Sequence, residues 1–225
     1  MRLLGIGMGF SSMDILGMFL SIPAILIVFT AKEYIRARMA YKLGDKAQKL
    51  QGRMTLDPFA HIDIMGFILI IVTGFGWSKP AYVNRNAFKK PKEDSVKVTL
   101  AAFSSYLIVA IMGVILKVIL IFVVVNFGVT GLIMEALGLV INYIISVSIS
   151  LFVFNLIPMP GLEMHNLLKE LAPGFAYRAA EITAQYNFII LLAIVIGARF
   201  IISPPVGMIL HWLDKLTFLL VNIIL

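Results

Sequence analysis

Long runs of apolar residues with few charges dominate the chain and predict membrane helices. The runs cover residues 15–31, 64–78, 98–125, 132–158, 182–202 and 206–225. A helix that crosses the hydrocarbon core needs about 20 residues at a rise of about 1.5 Å each. All of the runs meet that length once their ends are allowed to shift, except 64–78. That run is short and glycine-rich, which is typical of a re-entrant or interfacial segment covered by protein.

Composition supports a membrane protein, because 60% of the residues are hydrophobic and 14% are charged. Soluble domains carry about 25% charged residues and about 45–50% apolar ones. The absence of cysteine excludes disulfides and thiolate metal sites. No cleavage site follows the first run, so we expect a retained helix rather than a signal peptide. The predicted fold is an all-α polytopic bundle of five or six membrane segments with a small extended or re-entrant region at 50–91, forming a single domain over 1–225.

Charge predicts how the chain is oriented. Residues 32–97 hold 13 of the 19 lysines and arginines and 6 of the 12 acids, so their net charge of +7 equals that of the whole chain. Basic loops face the cytoplasm. We therefore expect a multi-pass protein of the plasma membrane, with residues 32–97 and the carboxyl terminus cytoplasmic and the amino terminus outside. No nucleic-acid motif accompanies the basic residues, so the lipid bilayer is the expected partner and nucleic acid is not.

The stretch AKEYIRARMAYKLGD at 31–45 continues the first apolar run with helical spacing. Lys32 and Arg36 lie four residues apart and share one face, while Glu33 and Arg36 lie three apart and can pair. Taken alone, the stretch is typical of a cationic collar at the cytoplasmic end of a membrane helix.

Three further segments change this interpretation. They are LQGRMTLDPFAHIDIMG at 50–66, GWSKPAYVNRNAFKKP at 76–91 and NLIPMPGLE at 155–163. Together with AYKLGD they resemble the site-2 protease family of intramembrane zinc metalloproteases. The likeness covers a core of about 15–180, and helices at about 182–225 follow it.

The resemblance implies a defined metal site. A helix of the family carries His-Glu-x-x-His, in which two histidines bind zinc and the glutamate acts as general base. A later Asn-x-x-Pro-x-x-x-Leu-Asp-Gly supplies an aspartate as third ligand. In this chain the histidine positions fall on Lys32 and Arg36, Glu33 keeps the base position, and Glu163 replaces the aspartate.

These departures predict the loss of zinc. Ammonium and guanidinium groups offer donors and positive charge, not lone pairs. Buried charges need partners, so we expect Lys32, Arg36, Glu33 and Glu163 to form a hydrogen-bonded cluster in place of the metal. The alternative is that each side chain extends separately to the membrane interface. A relocated metal site at His61, Glu163 and His165 is a further possibility.

Two functions remain open at this point. The first is a proteolytically inactive family member with no cofactor, which binds a partner membrane segment or serves as a subunit of a membrane complex. Its partner groove would lie where Pro158 and Pro160 break the helix after Asn155. The second is an intramembrane zinc metalloprotease with a non-standard metal site. A small transporter has less support, because no inverted repeat is visible.

Overall fold

The computed structural model is helical and describes residues 15–73, 76–186, 197 and 200–224. The helices are α1 (Ile15–Leu43), α2 (Ala47–Leu50), α3 (Ile64–Thr73), α4 (Pro91–Phe127), α5 (Leu132–Phe154), α6 (Glu163–Leu171), α7 (Pro173–Gln185) and α8 (Ser203–Ile224). Single 3-10 turns occur at Pro58–His61 and Arg85–Ala87. Within the described ranges the chain has no β-strand.

Three of these helices, α4, α5 and α8, are long and apolar enough to cross a membrane. The predicted count of five or six segments is therefore not confirmed, and most of the predicted run 182–202 lies outside the described residues. Helix α8 begins at Ser203, three residues before the apolar run 206–225. Proline is compatible with the first turn of a helix, where backbone N–H groups have no intrahelical acceptor, so Pro204 and Pro205 fit there.

The segment 64–78 does not form a spanning helix. Helix α3 has 10 residues, which give a length of about 15 Å. The chain then returns beside it, because a Cβ placed on Gly66 would collide with the carbonyl of Trp77, and one on Gly76 with the carbonyl of Gly66. Glycine permits this close backbone approach. The short helix and its return are what a re-entrant segment requires.

The centre of the bundle is formed by α1, α4 and α5, which pack against one another. Its core contains Ile25 and Phe29 of α1 together with Val147 and Leu151 of α5, all almost fully buried. Helices α4 and α5 approach closely at Gly113, where an added Cβ would lie 2.7 Å from Cγ1 of Ile145. Small residues allow membrane helices to pack at such short distances.

Helix α8 attaches to α4 and α5 on the other side of the bundle. Ile202 and Val206 are buried there beside Ala110 and Ile149. Farther along the helix, Nζ of Lys117 in α4 lies 2.9 Å from Oδ1 of Asp214. Both charges interrupt apolar runs of the sequence, and their contact explains how each is tolerated.

The close approach at Gly113 can be tested by Gly113→Ala. Overpacking of this kind costs about 1–3 kcal/mol, whereas alanine in place of glycine favours a helix by about 1 kcal/mol. Gly174→Ala is the matched control, because nothing lies within 4 Å of a Cβ at Gly174. We expect the thermal midpoint of unfolding in detergent to be lower for Gly113→Ala than for Gly174→Ala. Equal midpoints would show that α4 and α5 are not in close contact there.

Candidate functional site

Helix α1 supplies three of the four charged side chains of the candidate site. Lys32, Glu33 and Arg36 lie within one helical turn, and their exposed fractions are 6%, 0% and 6%. Charged side chains are rarely buried to this extent unless they are paired. Their burial therefore points to anions supplied by another part of the chain.

Glu163 is the first residue of α6 and follows the break after α5. Helix α5 ends at Phe154, and the predicted interruption at Pro158 and Pro160 is confirmed. Asn155 holds the two ends together. Its Oδ1 accepts a hydrogen bond from the amide of Glu163 (3.3 Å), and its carbonyl accepts one from the amide of Met164 (3.0 Å).

The side-chain amide of Asn155 is also held by contacts with α5 and α4. Its Nδ2 donates to the carbonyl of Leu151 (2.8 Å) and contacts the hydroxyl of Tyr106 at 3.1 Å. Tyr106 is buried on α4. Three helices therefore determine where the Glu163 carboxylate lies.

The four charges form one cluster, as the sequence predicted. Nζ of Lys32 lies 2.6 Å from Oε1 of Glu33 and 2.8 Å from Oε1 of Glu163. Arg36 donates from Nη2 to Oε2 of Glu163. The side chains thus converge in the protein interior and do not extend separately to the interface. The predicted pairing of Glu33 with Arg36 is replaced by pairing with Lys32.

Glu33 has two further partners that the sequence did not reveal. The hydroxyl of Ser78 donates to Oε1 at 2.6 Å, and the backbone amide of Ala81 donates to Oε2 at 2.8 Å. Both belong to the extended segment that follows the re-entrant turn. This segment has no periodicity that would indicate which of its groups face α1.

The same extended segment is anchored at its far end. Oδ2 of Asp45, the last residue of the AYKLGD motif, accepts from Nε2 of Gln48 (2.7 Å) and from the amide of Asn84 (2.9 Å). Arg85 then pairs with Glu170 of α6 at 2.9 Å. These contacts hold residues 78–85 between the end of α1 and α6.

The histidines do not join the cluster. Nε2 of His61 contacts the carbonyl of Thr55 at 2.9 Å, so this ring binds the backbone of its own segment. His165 is buried, and burial together with the positive charge of Lys169 lowers its pKa. Among the residues that the structure describes, no three His, Cys, Asp or Glu side chains lie close enough together to hold a metal ion.

The contribution of the cluster to stability can be measured with Glu163→Gln. This change leaves Lys32 and Arg36 buried with only Glu33 as an anion, and breaking a buried ion pair costs roughly 3–5 kcal/mol. Glu170→Gln is the control, because its partner Arg85 is 57% exposed and surface pairs contribute about 0–1 kcal/mol. We expect a much lower midpoint of thermal unfolding for Glu163→Gln. Similar midpoints for the two variants would contradict the cluster.

Comparison with known proteins identifies one curated relative. The chain is 35% identical over 190 residues to the "Putative zinc metalloprotease YwhC" of Bacillus subtilis (strain 168), and the match covers 84% of this chain and 82% of the relative. No family model matches the chain, and no solved structure matches it. The extent of the match and its identity show that the chain belongs to the zinc-metalloprotease-like family that includes YwhC.

Proposed function

We propose that this protein is a proteolytically inactive member of its family, of the site-2 protease type. In this proposal it binds a partner membrane segment or serves as a subunit of a membrane complex. The observation that carries the proposal is the ion cluster, in which Lys32 and Arg36 both pair with Glu163.

The side chains of the cluster do not suit a zinc ion. Zinc in proteins is bound by cysteine sulfur, histidine nitrogen or carboxylate oxygen, whereas protonated lysine and arginine have only donors to offer. Both oxygens of Glu163 already face these cations. A divalent ion here would have to displace Lys32 and Arg36, which together carry the same charge of +2.

Glu33 is also poorly placed to act as a general base. Its Oε1 accepts from Lys32 and Ser78, and its Oε2 accepts from the amide of Ala81. A general base needs an oxygen within hydrogen-bonding reach of the proton that it removes. With both oxygens occupied, we assign Glu33 a structural role as the anion that holds the extended segment against α1.

The partner-binding part of the proposal concerns the break between α5 and α6. Asn155 is buried and fixed, whereas Pro158 is exposed in the turn that follows. Leu156 is also exposed, so this turn presents an apolar surface. We propose that Asn155, Pro158 and Pro160 border a groove for a partner segment, with residues 32–97 on the cytoplasmic side of the plasma membrane.

A second candidate function is an intramembrane zinc metalloprotease with a non-standard metal site. The relative's name and its 35% identity favour it. The two candidates differ in a measurable way, because zinc is required in one and absent in the other.

Zinc content and proteolysis of the purified protein distinguish these candidates. We expect less than one zinc per ten chains after dialysis against trace zinc, and no cleavage of a labelled membrane-segment substrate. Mass spectrometry of the metal and gel analysis of the substrate provide the two readouts. Stoichiometric zinc that is lost on Glu163→Ala, together with cleavage, would establish the protease instead.

A gain of metal binding is the complementary test. The double variant Lys32→His and Arg36→His places two imidazoles four residues apart on α1, within reach of Glu163. Histidine pairs at this spacing bind one zinc ion, so we expect about one zinc per chain. The control is Lys32→Gln with Arg36→Gln, which removes the cations without supplying ligands. If both folded variants bind equally little zinc, Glu163 does not occupy a ligand position.

A further inference from the structure

The outer face of α8 combines features that are unusual for a surface in contact with lipid. Gly207, His211 and Lys215 follow one another at four-residue intervals and are all exposed, so they form one stripe along the helix. Large apolar side chains flank the stripe, among them Met208 and Trp212, each 64% exposed. Of the most apolar 18-residue stretch of α8, 11% is buried.

Lys215 lies near the middle of this helix. Helix α8 has 22 residues, which corresponds to about 33 Å, and Lys215 is about 18 Å from its start. The hydrocarbon core of a bilayer is about 30 Å thick. If α8 spans the membrane, the base of the Lys215 side chain therefore lies close to the bilayer centre.

The described charges near the middle of α8 are two lysines and one aspartate, so they do not cancel. Asp214 faces α4 and pairs with Lys117 at 2.9 Å. Lys215 is exposed, and its Nζ lies 5.3 Å from the centre of the Trp212 ring. A cation–π contact of this kind is a weak attraction and does not neutralise the charge. Among the described residues, Lys215 forms no ion pair, so one positive charge at this level lacks an anion.

We propose that this face of α8 docks a transmembrane helix of a partner protein that carries a carboxylate at mid-membrane depth. A charged lysine at the centre of a membrane helix is energetically unfavourable, and an opposing carboxylate offsets that cost. Gly207 has nothing within 4 Å of an added Cβ, which lets a second backbone approach closely. The inference concerns a face separate from the ion cluster and holds with or without zinc.

A second copy of this chain is a less suitable occupant. Glu135 is an exposed acid on α5, but it is the fourth residue of that helix, about 5 Å from the helix start. Copies in one membrane share their orientation. In the predicted topology α5 and α8 begin on the same side, so Glu135 and Lys215 would differ in depth by about 13 Å. Charge complementarity therefore favours a different protein.

The test uses the full chain in phosphatidylcholine bilayers with a synthetic polyleucine helix of about 20 residues. One peptide carries a single central glutamate and its control carries glutamine. The chain contains no cysteine, so Asn222→Cys, at the exposed end of α8, accepts one dye for energy transfer. We expect the glutamate peptide to bind about tenfold more tightly than the glutamine peptide. Equal binding of the two peptides would overturn the proposal.

Variants of Lys215 make the test specific. Lys215→Leu should remove the preference for glutamate, and Lys215→Arg should retain it. Both variants leave the Lys117–Asp214 pair in place, so we expect both to fold, and thermal unfolding checks this. A preference that persists in Lys215→Leu would overturn the proposal. The proposal would also be overturned if replacing a tenth of the lipid with phosphatidylglycerol abolished the preference for glutamate. Lys215 would then be paired with a lipid headgroup.

Discussion

The arrangement of this chain depends on the neutralisation of four charges buried between α1 and α6. Lys32 and Arg36 alone would be prohibitively costly at the exposures of 6% that they show. Their cost is offset only because Glu163 is delivered to the same point by the break after α5 and held there by Asn155. The cluster is therefore a constraint on where α6 can begin, and not simply a product of helix packing.

The same constraint reaches the segment that follows the re-entrant turn. Glu33 faces Lys32 on one side and accepts hydrogen bonds from Ser78 and Ala81 on the other. An extended segment has backbone groups that no helix satisfies, and a buried carboxylate can satisfy one of them. One anion thus neutralises a cation and fixes a stretch of irregular backbone, which is tolerated at membrane depth only where protein covers it.

The sequence predicts those features that periodicity or isolated charges encode. The helices over 98–125 and 132–158 and the break at Pro158 follow from apolar runs and proline. The ion cluster follows from the resemblance, which places Lys32, Arg36 and Glu163 at the family's metal-ligand positions, and from the need to pair buried charge. The contacts of Ser78 and Ala81 do not, because an extended segment carries no period that orients its groups. The Lys117–Asp214 pair was signalled only by two opposite charges in separate apolar runs, and its formation depends on how α4 and α8 cross.

A salt-bridged cluster and a metal centre can stabilise the same scaffold in different ways. Each supplies a charge of +2 to carboxylates that would otherwise be buried without partners. A catalytic metal, however, keeps a coordination position open for water, whereas Lys32 and Arg36 direct their donors at oxygens that are already present. If the protein is proteolytically inactive, as proposed, two cations in place of the metal preserve the packing of α1 against its neighbours. They also remove the coordination position at which water would be activated for hydrolysis.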